Sequence, residues 1–158
     1  MDIISELPDE LLVKVLSFIP TKLAVSTSIL SMWMWLPKLD FIGDIQSSSD
    51  ECERLRCFLD MNLPLHRAPI IESFRLKLSR ARVKPKDVKI WVLFACSRNL
   101  RELEISYDNY LSDRSNVWPV LPSSLYICKS LVTLKLEGDI LLDVPRMVCR
   151  SFSEKTAT

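Results

Sequence analysis

Glycine is almost missing from this chain: Gly43 and Gly138 are the only two in 158 residues. A glycine-rich loop that brings backbone amides against phosphates cannot be built from them, which excludes P-loop nucleotide enzymes and Rossmann dinucleotide binders. Histidine is scarcer still. His66 stands alone, so no histidine pair can hold zinc, and any histidine-based catalysis would rest on one side chain. There is no Gly-x-Ser-x-Gly, which argues against a small hydrolase. The cysteines are Cys52, Cys57, Cys96, Cys128 and Cys149: an odd count, with no Cys-x-x-Cys. That argues against a disulfide framework or a zinc ribbon and for reduced, buried thiols. Long apolar runs are lacking too. The longest uncharged stretch, residues 23–37, holds 15 residues, four of them Ser or Thr, and is too short and polar to span a bilayer. The N-terminus Met-Asp-Ile-Ile-Ser-Glu is acidic, without the basic start of a signal peptide. The expected compartment is cytosol or nucleus, with no membrane, metal, cofactor or catalytic residue.

What is present supports a packed core. The chain is 48% hydrophobic and 26% charged, suited to one domain or a small module joined to part of a second. Charge is unevenly spread. Residues 1–65 carry five basic and ten acidic side chains, a net of −5, and residues 66–158 carry sixteen and ten, a net of +6. An acidic part joined to a basic part implies different partners for each.

The N-terminal segment reads as a helix. Ser5 or Glu6 stands near the cap, Pro8 in the first turn, and Asp9 and Glu10 at the positive end of the helix dipole. Leu7, Leu11, Leu12, Val15, Leu16 and Ile19 recur at helical spacing until Pro20 stops the run. Thr21 can cap a second short helix over residues 22–30. Periodicity alone describes an amphipathic helix folded onto its own domain. The series Leu7-Pro8-Asp9-Glu10-Leu11-Leu12, then Ile19-Pro20-Thr21-Lys22, then Leu30-Ser31 is more specific. It resembles an F-box of the plant type that precedes leucine-rich repeats. The resemblance implies a three-helix module that docks on a Skp-type adaptor of a cullin–RING ubiquitin ligase. Carried over by position, the docking residues are Leu7, Pro8, Leu11, Leu12, Ile19, Pro20, Ala24, Val25 and Leu30. The chain departs from the family at Ser31-Met32-Trp33-Met34-Trp35-Leu36, which runs straight into Pro37-Lys38-Leu39-Asp40-Phe41. The third helix is therefore expected to be shortened and without its basic residues, with Trp33 or Trp35 replacing the usual tryptophan.

Residues 37–42 alternate as a strand, residues 43–50 read as a loop, and residues 50–61 read as a helix capped by Ser49 or Asp50. The acidic side chains of that helix are expected to be solvated rather than metal-binding, and His66, in a proline-bounded loop, is expected at the surface. Three later segments share one shape, apolar-x-x-apolar-x-apolar. They begin at Ile71, Leu100 and Leu131, 29 and 31 residues apart. This is the strand core of a leucine-rich repeat. A return helix is expected over residues 87–96, capped by Asp87 with Val88, Trp91, Val92 and Ala95 inward, and a shorter return leg over residues 122–128. The second half also resembles the repeat region that follows the F-box in the same plant proteins, at Ser97-Arg98-Asn99-Leu100-Arg101-Glu102-Leu103 and at Lys129-Ser130-Leu131-Val132-Thr133-Leu134-Lys135-Leu136. The basic run from Arg75 to Lys89 lacks interleaved aromatics and reads as a solvated loop, not a nucleic-acid site.

The expected fold class is α+β: a short N-terminal helical F-box (1–36, third helix shortened), a linker with strand and helix (37–65), a partial leucine-rich-repeat solenoid (66–145) and an irregular tail (146–158). The expected role is that of a non-enzymatic, substrate-recognition subunit whose repeats hold an unknown target protein through Arg101, Glu102, Glu104, Val132, Thr133 and Lys135. The alternative is an interaction or decoy protein whose altered F-box no longer docks. Leu131, Leu134 and Leu136 are expected to point inward from the last ordered strand, leaving an open end that invites self-association.

Overall fold

The computed structural model describes residues 7–18, 21, 31–43, 49–79, 83–108 and 118–143. Helix and strand are mixed. The helices are α1 (Asp9–Leu16), α2 (Ser49–Asn62), α3 (Pro85–Cys96) and the single turn α4 (Ser124–Ile127). The strands are β1 (Lys38–Gly43), β2 (Ser73–Ser79), β3 (Glu102–Asp108), β4 (Val120–Leu121), β5 (Thr133–Gly138) and β6 (Leu141–Leu142). A 3-10 turn, Ser31–Trp35, precedes β1.

β1, β2, β3 and β5 form one parallel sheet in chain order, and β4 pairs in parallel with β6. Alternation sorts the side chains into rows that cross the sheet. Leu39, Phe74, Leu103 and Leu134 share one row, and Phe41, Leu76, Ile105 and Leu136 the next. These rows join Val88, Trp91, Val92 and Ala95 of α3 and Leu55 and Leu59 of α2 in one core. The intervening row is Asp40, Arg75, Glu104 and Lys135. Parallel sheets are usually apolar on both faces because helices cover both. Here one face carries an ordered series of charges, so the helices pack on the other. The short segment from Ile71 to Leu78 looked the least regular of the three in sequence, yet β2 is a seven-residue central strand. The strand and helix expected between residues 37 and 65 are present, and both contribute to the common core.

The strand entries are tied sideways. Pro37 O accepts from Glu72 N, Ile71 O from Arg101 N, and Arg101 O from Val132 N and Thr133 N. Asn99 adopts a left-handed φ of 50° at the turn out of α3 and donates through Nδ2 to Pro69 O at 3.3 Å. Asparagine tolerates that conformation better than other side chains. At the end of β5, Gly138 has φ 90°, and a Cβ there would lie 1.9 Å from Tyr107 O. Only glycine fits that approach.

Three sequence expectations are corrected. Helix α1 begins at Asp9 with Pro8 as its N-cap residue, so Pro8 precedes the first turn rather than lying in it; Ser5 and Glu6 lie outside the described residues. Asp87 is not the cap of α3; Lys84 holds that position without a side-chain bond, Pro85 opens the helix, and Asp87 is buried in its first turn. His66 is not on the surface. It is fully buried, because Trp33 and Phe94 close over it from segments remote in sequence. Its Nε2 lies 2.8 Å from Leu36 O, which assigns the proton to Nε2. Nδ1 is buried without a partner. The backbone around His66 is stitched to the 3-10 turn: Arg67 N and Ala68 N both donate to Met34 O, and Arg98 donates to His66 O at 3.1 Å.

Candidate functional site

Helix α1 is short, and its leucines face two ways. Leu12 is buried, and Val13 and Leu16 pack half-buried against the core. The opposite side shows Leu7, Leu11, Val15 and Phe18, with 37%, 48%, 55% and 78% of their surface exposed. Their spacing of four, four and three residues forms a second apolar stripe along the helix. Trp35, half-exposed on the 3-10 turn, lies instead near the Asp9, Glu10 and Val13 side of the helix. An open cavity of about 510 Å³ between helix and turn is lined by Asp9, Glu10, Val13, Met32 and Trp35. Exposed apolar stripes are a type of feature through which proteins meet partners. Of the residues expected to meet an adaptor, Leu7, Pro8 and Leu11 are exposed and Leu12 is turned inward. Ile19, Pro20, Ala24, Val25 and Leu30 lie outside the described residues. Val15, which the helical spacing already put on the apolar run but not among the docking residues, and Phe18 complete the stripe. Phe18 was not picked out by sequence; its signal was its place seven residues after Leu11, two helical turns on.

The second candidate is the charged face of the sheet. Arg75 contacts Glu104 at 3.1 Å and Asp40 at 3.5 Å, and Lys77 lies 4.0 Å from the same Glu104. The pairs are partly exposed, so each contributes little to stability, on the order of 0–1 kcal/mol. Burial pushes the Asp40 carboxyl above its ordinary range, opposed by the positive charges of Arg75 and Lys77. Among the expected target contacts, Arg101, Glu102, Val132 and Lys135 are exposed, and Glu104 and Thr133 are half-buried. Glu102 and Thr133 share a register row, as do Glu104 and Lys135. The structure thus brings these four together, with Arg101 and Val132 at the strand entries.

Among the described residues no cluster of three or more His, Cys, Asp or Glu side chains could hold a metal ion. No described helix is long and apolar enough to cross a membrane. Burial pushes the Cys96 thiol up to about 11.

The architecture is therefore a parallel-strand array with helical return legs on one face and an apolar helix stripe at its N-terminal end. The chain is 62% identical over 154 residues, 94% of its length, to an FBD-associated F-box protein of Arabidopsis thaliana, and covers 36% of that relative. It is 61% identical to an F-box protein of the same plant, covering 94% of this chain and 47% of that protein. It is also 50% identical, over 94% of its length and 42% of the relative, to an Arabidopsis F-box/LRR-repeat protein. Over nearly its whole length this chain is thus a homologue of the plant F-box proteins of the FBD-associated and leucine-rich-repeat kind. It spans between a third and a half of the length of these three relatives. No family model matches the chain, and no solved structure matches it.

Proposed function

We propose that this chain acts as a substrate-recognition subunit of an SCF-type ubiquitin ligase, in cytosol or nucleus, and catalyses no reaction itself. In this reading residues 1–36 form the F-box that docks a Skp-type adaptor. Residues 37–65 supply the first strand and return helix of a partial leucine-rich-repeat solenoid that continues over residues 66–145. The exposed charged face of its strands meets a target protein. The observation that carries this reading is the Leu7–Leu11–Val15–Phe18 stripe, left exposed while Leu12, Val13 and Leu16 pack inward. Burying what remains exposed of four such side chains supplies roughly 4–5 kcal/mol, which offsets part of the cost of association and leaves the rest to further contacts. The chain-order parallel pairing and the 30-residue spacing of lateral hydrogen bonds such as Asn99 to Pro69 and Ser130 to Leu100 support the repeat assignment.

The test is co-purification with a plant Skp-type adaptor. Leu11→Asp with Val15→Asp should abolish capture while leaving the far-UV dichroism intact, because neither side chain belongs to the core. Unchanged capture by the double variant would refute the docking surface. A second reading has one observation in its favour. The segment where the family's third helix is expected is a five-residue 3-10 turn whose Trp33 faces the core. If the wild-type chain captures no adaptor, the decoy reading stands in place of the ligase reading.

A further inference from the structure

The outer edge of β5 pairs with nothing among the described residues, and its backbone direction can be read. Thr133 N donates to Arg101 O at 3.1 Å, and Asp139 N donates to Tyr107 O at 2.9 Å. In a parallel ladder a residue turns its N–H and C=O to the same neighbour, and the residues on either side turn theirs the opposite way. Odd-numbered residues of β5 therefore face β3, and Leu134 and Leu136 turn N–H and C=O groups to the outer edge, where no described residue pairs with them. Their side chains are incompletely covered as well. Leu103 and Ile105, their row neighbours on β3, are 1% and 0% exposed, whereas Leu134 and Leu136 are only partly buried. Lys135 and Glu137 stand exposed on the opposite face.

We propose that this edge joins a second copy of the chain through antiparallel pairing of the two β5 strands across a two-fold axis at Leu136. The charges select that register. Only residues with outward backbone groups can occupy the hydrogen-bonded positions of an antiparallel pair, so the axis must keep even-numbered residues opposite one another. An axis at Lys135 or at Glu137 sets like charges face to face. An axis at Leu134 sets Lys135 opposite Thr133. An axis at Leu136 sets Lys135 opposite Glu137 of the second copy, and Glu137 opposite its Lys135, in the closely spaced non-hydrogen-bonded positions where cross-strand ion pairs form. The same register exchanges hydrogen bonds between the two Leu136 residues and sets Leu134 opposite Gly138, whose carbonyl already accepts from Ile140 N at 3.0 Å. It aligns the apolar faces, so that Leu136 packs beside Leu136. The pairing is isologous and closes at two copies. It is independent of the adaptor reading, since α1 packs on the 3-10 turn before β1, at the other end of the strand order.

The experiment is sedimentation velocity of the full 158-residue chain across a range of concentrations. The wild type is expected to form a dimer. Lys135→Glu or Glu137→Lys alone should weaken it by roughly tenfold or more, because two attractive pairs become two repulsive ones. The double exchange Lys135→Glu with Glu137→Lys should restore the dimer, since the pairs re-form with reversed sign. If either reversal disturbs the far-UV dichroism, Lys135→Gln with Glu137→Gln removes both pairs without repulsion and should still weaken the dimer. A monomeric wild type, open-ended assemblies, single reversals without effect, or a double exchange no better than the singles would each overturn the proposal.

Discussion

Protonation of His66 should destabilise the fold, and the geometry fixes both sign and size. The ring is fully buried, Nε2 is committed to Leu36 O, and Nδ1 has no acceptor. Trp33 and Phe94 enclose it, and Arg98 bonds the His66 carbonyl and stacks 5.6 Å from the Phe94 centroid. A second proton would have to sit on Nδ1, buried without an acceptor, in a setting that the Arg98 charge also makes less favourable for a cation. Burial above all, and then Arg98, hold the imidazole below its ordinary value of 6.5, against the opposing pull of the Leu36 carbonyl. Because the folded value is lowered, the unfolded chain binds the proton first. Stability is then unaffected well above pH 6.5 and falls as pH drops through it. The loss between pH 7.5 and 5.5 approaches ~1.4 kcal/mol if the folded ring stays neutral throughout. His66 is the chain's only histidine. Urea unfolding at the two pH values, in wild type and in His66→Asn, isolates the effect. The variant should be weaker at pH 7.5 by about 2–4 kcal/mol, from the cavity and the unpaired Leu36 carbonyl, and should lack the step. Parallel pH dependence in the two proteins, or an imidazole resonance that titrates at or above its ordinary value, would refute the reasoning.

Other consequences can be checked singly. Ile105→Ala should cost about 3–4 kcal/mol in urea unfolding and Leu136→Ala about 1–2, because the first opens a cavity in a closed core and the second trims a half-covered side chain. Gly138→Ala should lower stability by about 2 kcal/mol or more, since its Cβ meets the Tyr107 carbonyl at positive φ; a smaller change would show that β5 can shift. Alkylation at pH 7.5 followed by mass spectrometry should modify exposed Cys57 well before Cys96, whose thiol is raised to about 11; equal rates would contradict the burial of Cys96.

Much of the sheet was legible in the sequence because alternation is a local property. Leu103–Ile105 and Leu134–Leu136 announce their strands, and the spacing of Val88, Trp91, Val92 and Ala95 announces both α3 and its inner face. His66 was not legible. Prolines at 64 and 69 mark a loop, and nothing nearby signals that Trp33 and Phe94 converge on it. Nor does periodicity separate Leu11 from Leu12, since neighbours on a helix differ by about 100° and the stripe is wide enough to include both. Packing decides that Leu12 turns inward and Leu11 outward. The two-residue strands β4 and β6 are too short to carry a pattern. Asp87 was misjudged because an acidic residue in the first turn and one at the cap look alike until Pro85 is seen to open the helix.

The sideways rows also set the order in which the molecule comes apart. Each strand of the main sheet hydrogen-bonds only to its immediate neighbours, and burial along a row falls away at β5. At the opposite edge, Thr21 accepts the Asp40 amide at 2.7 Å, so β1 is pinned there while β5 has no such lock among the described residues. Amide exchange in water should therefore run as a front, fastest in β5, slower in β3 and slowest in β2, with each strand exposed only after the one outside it has let go.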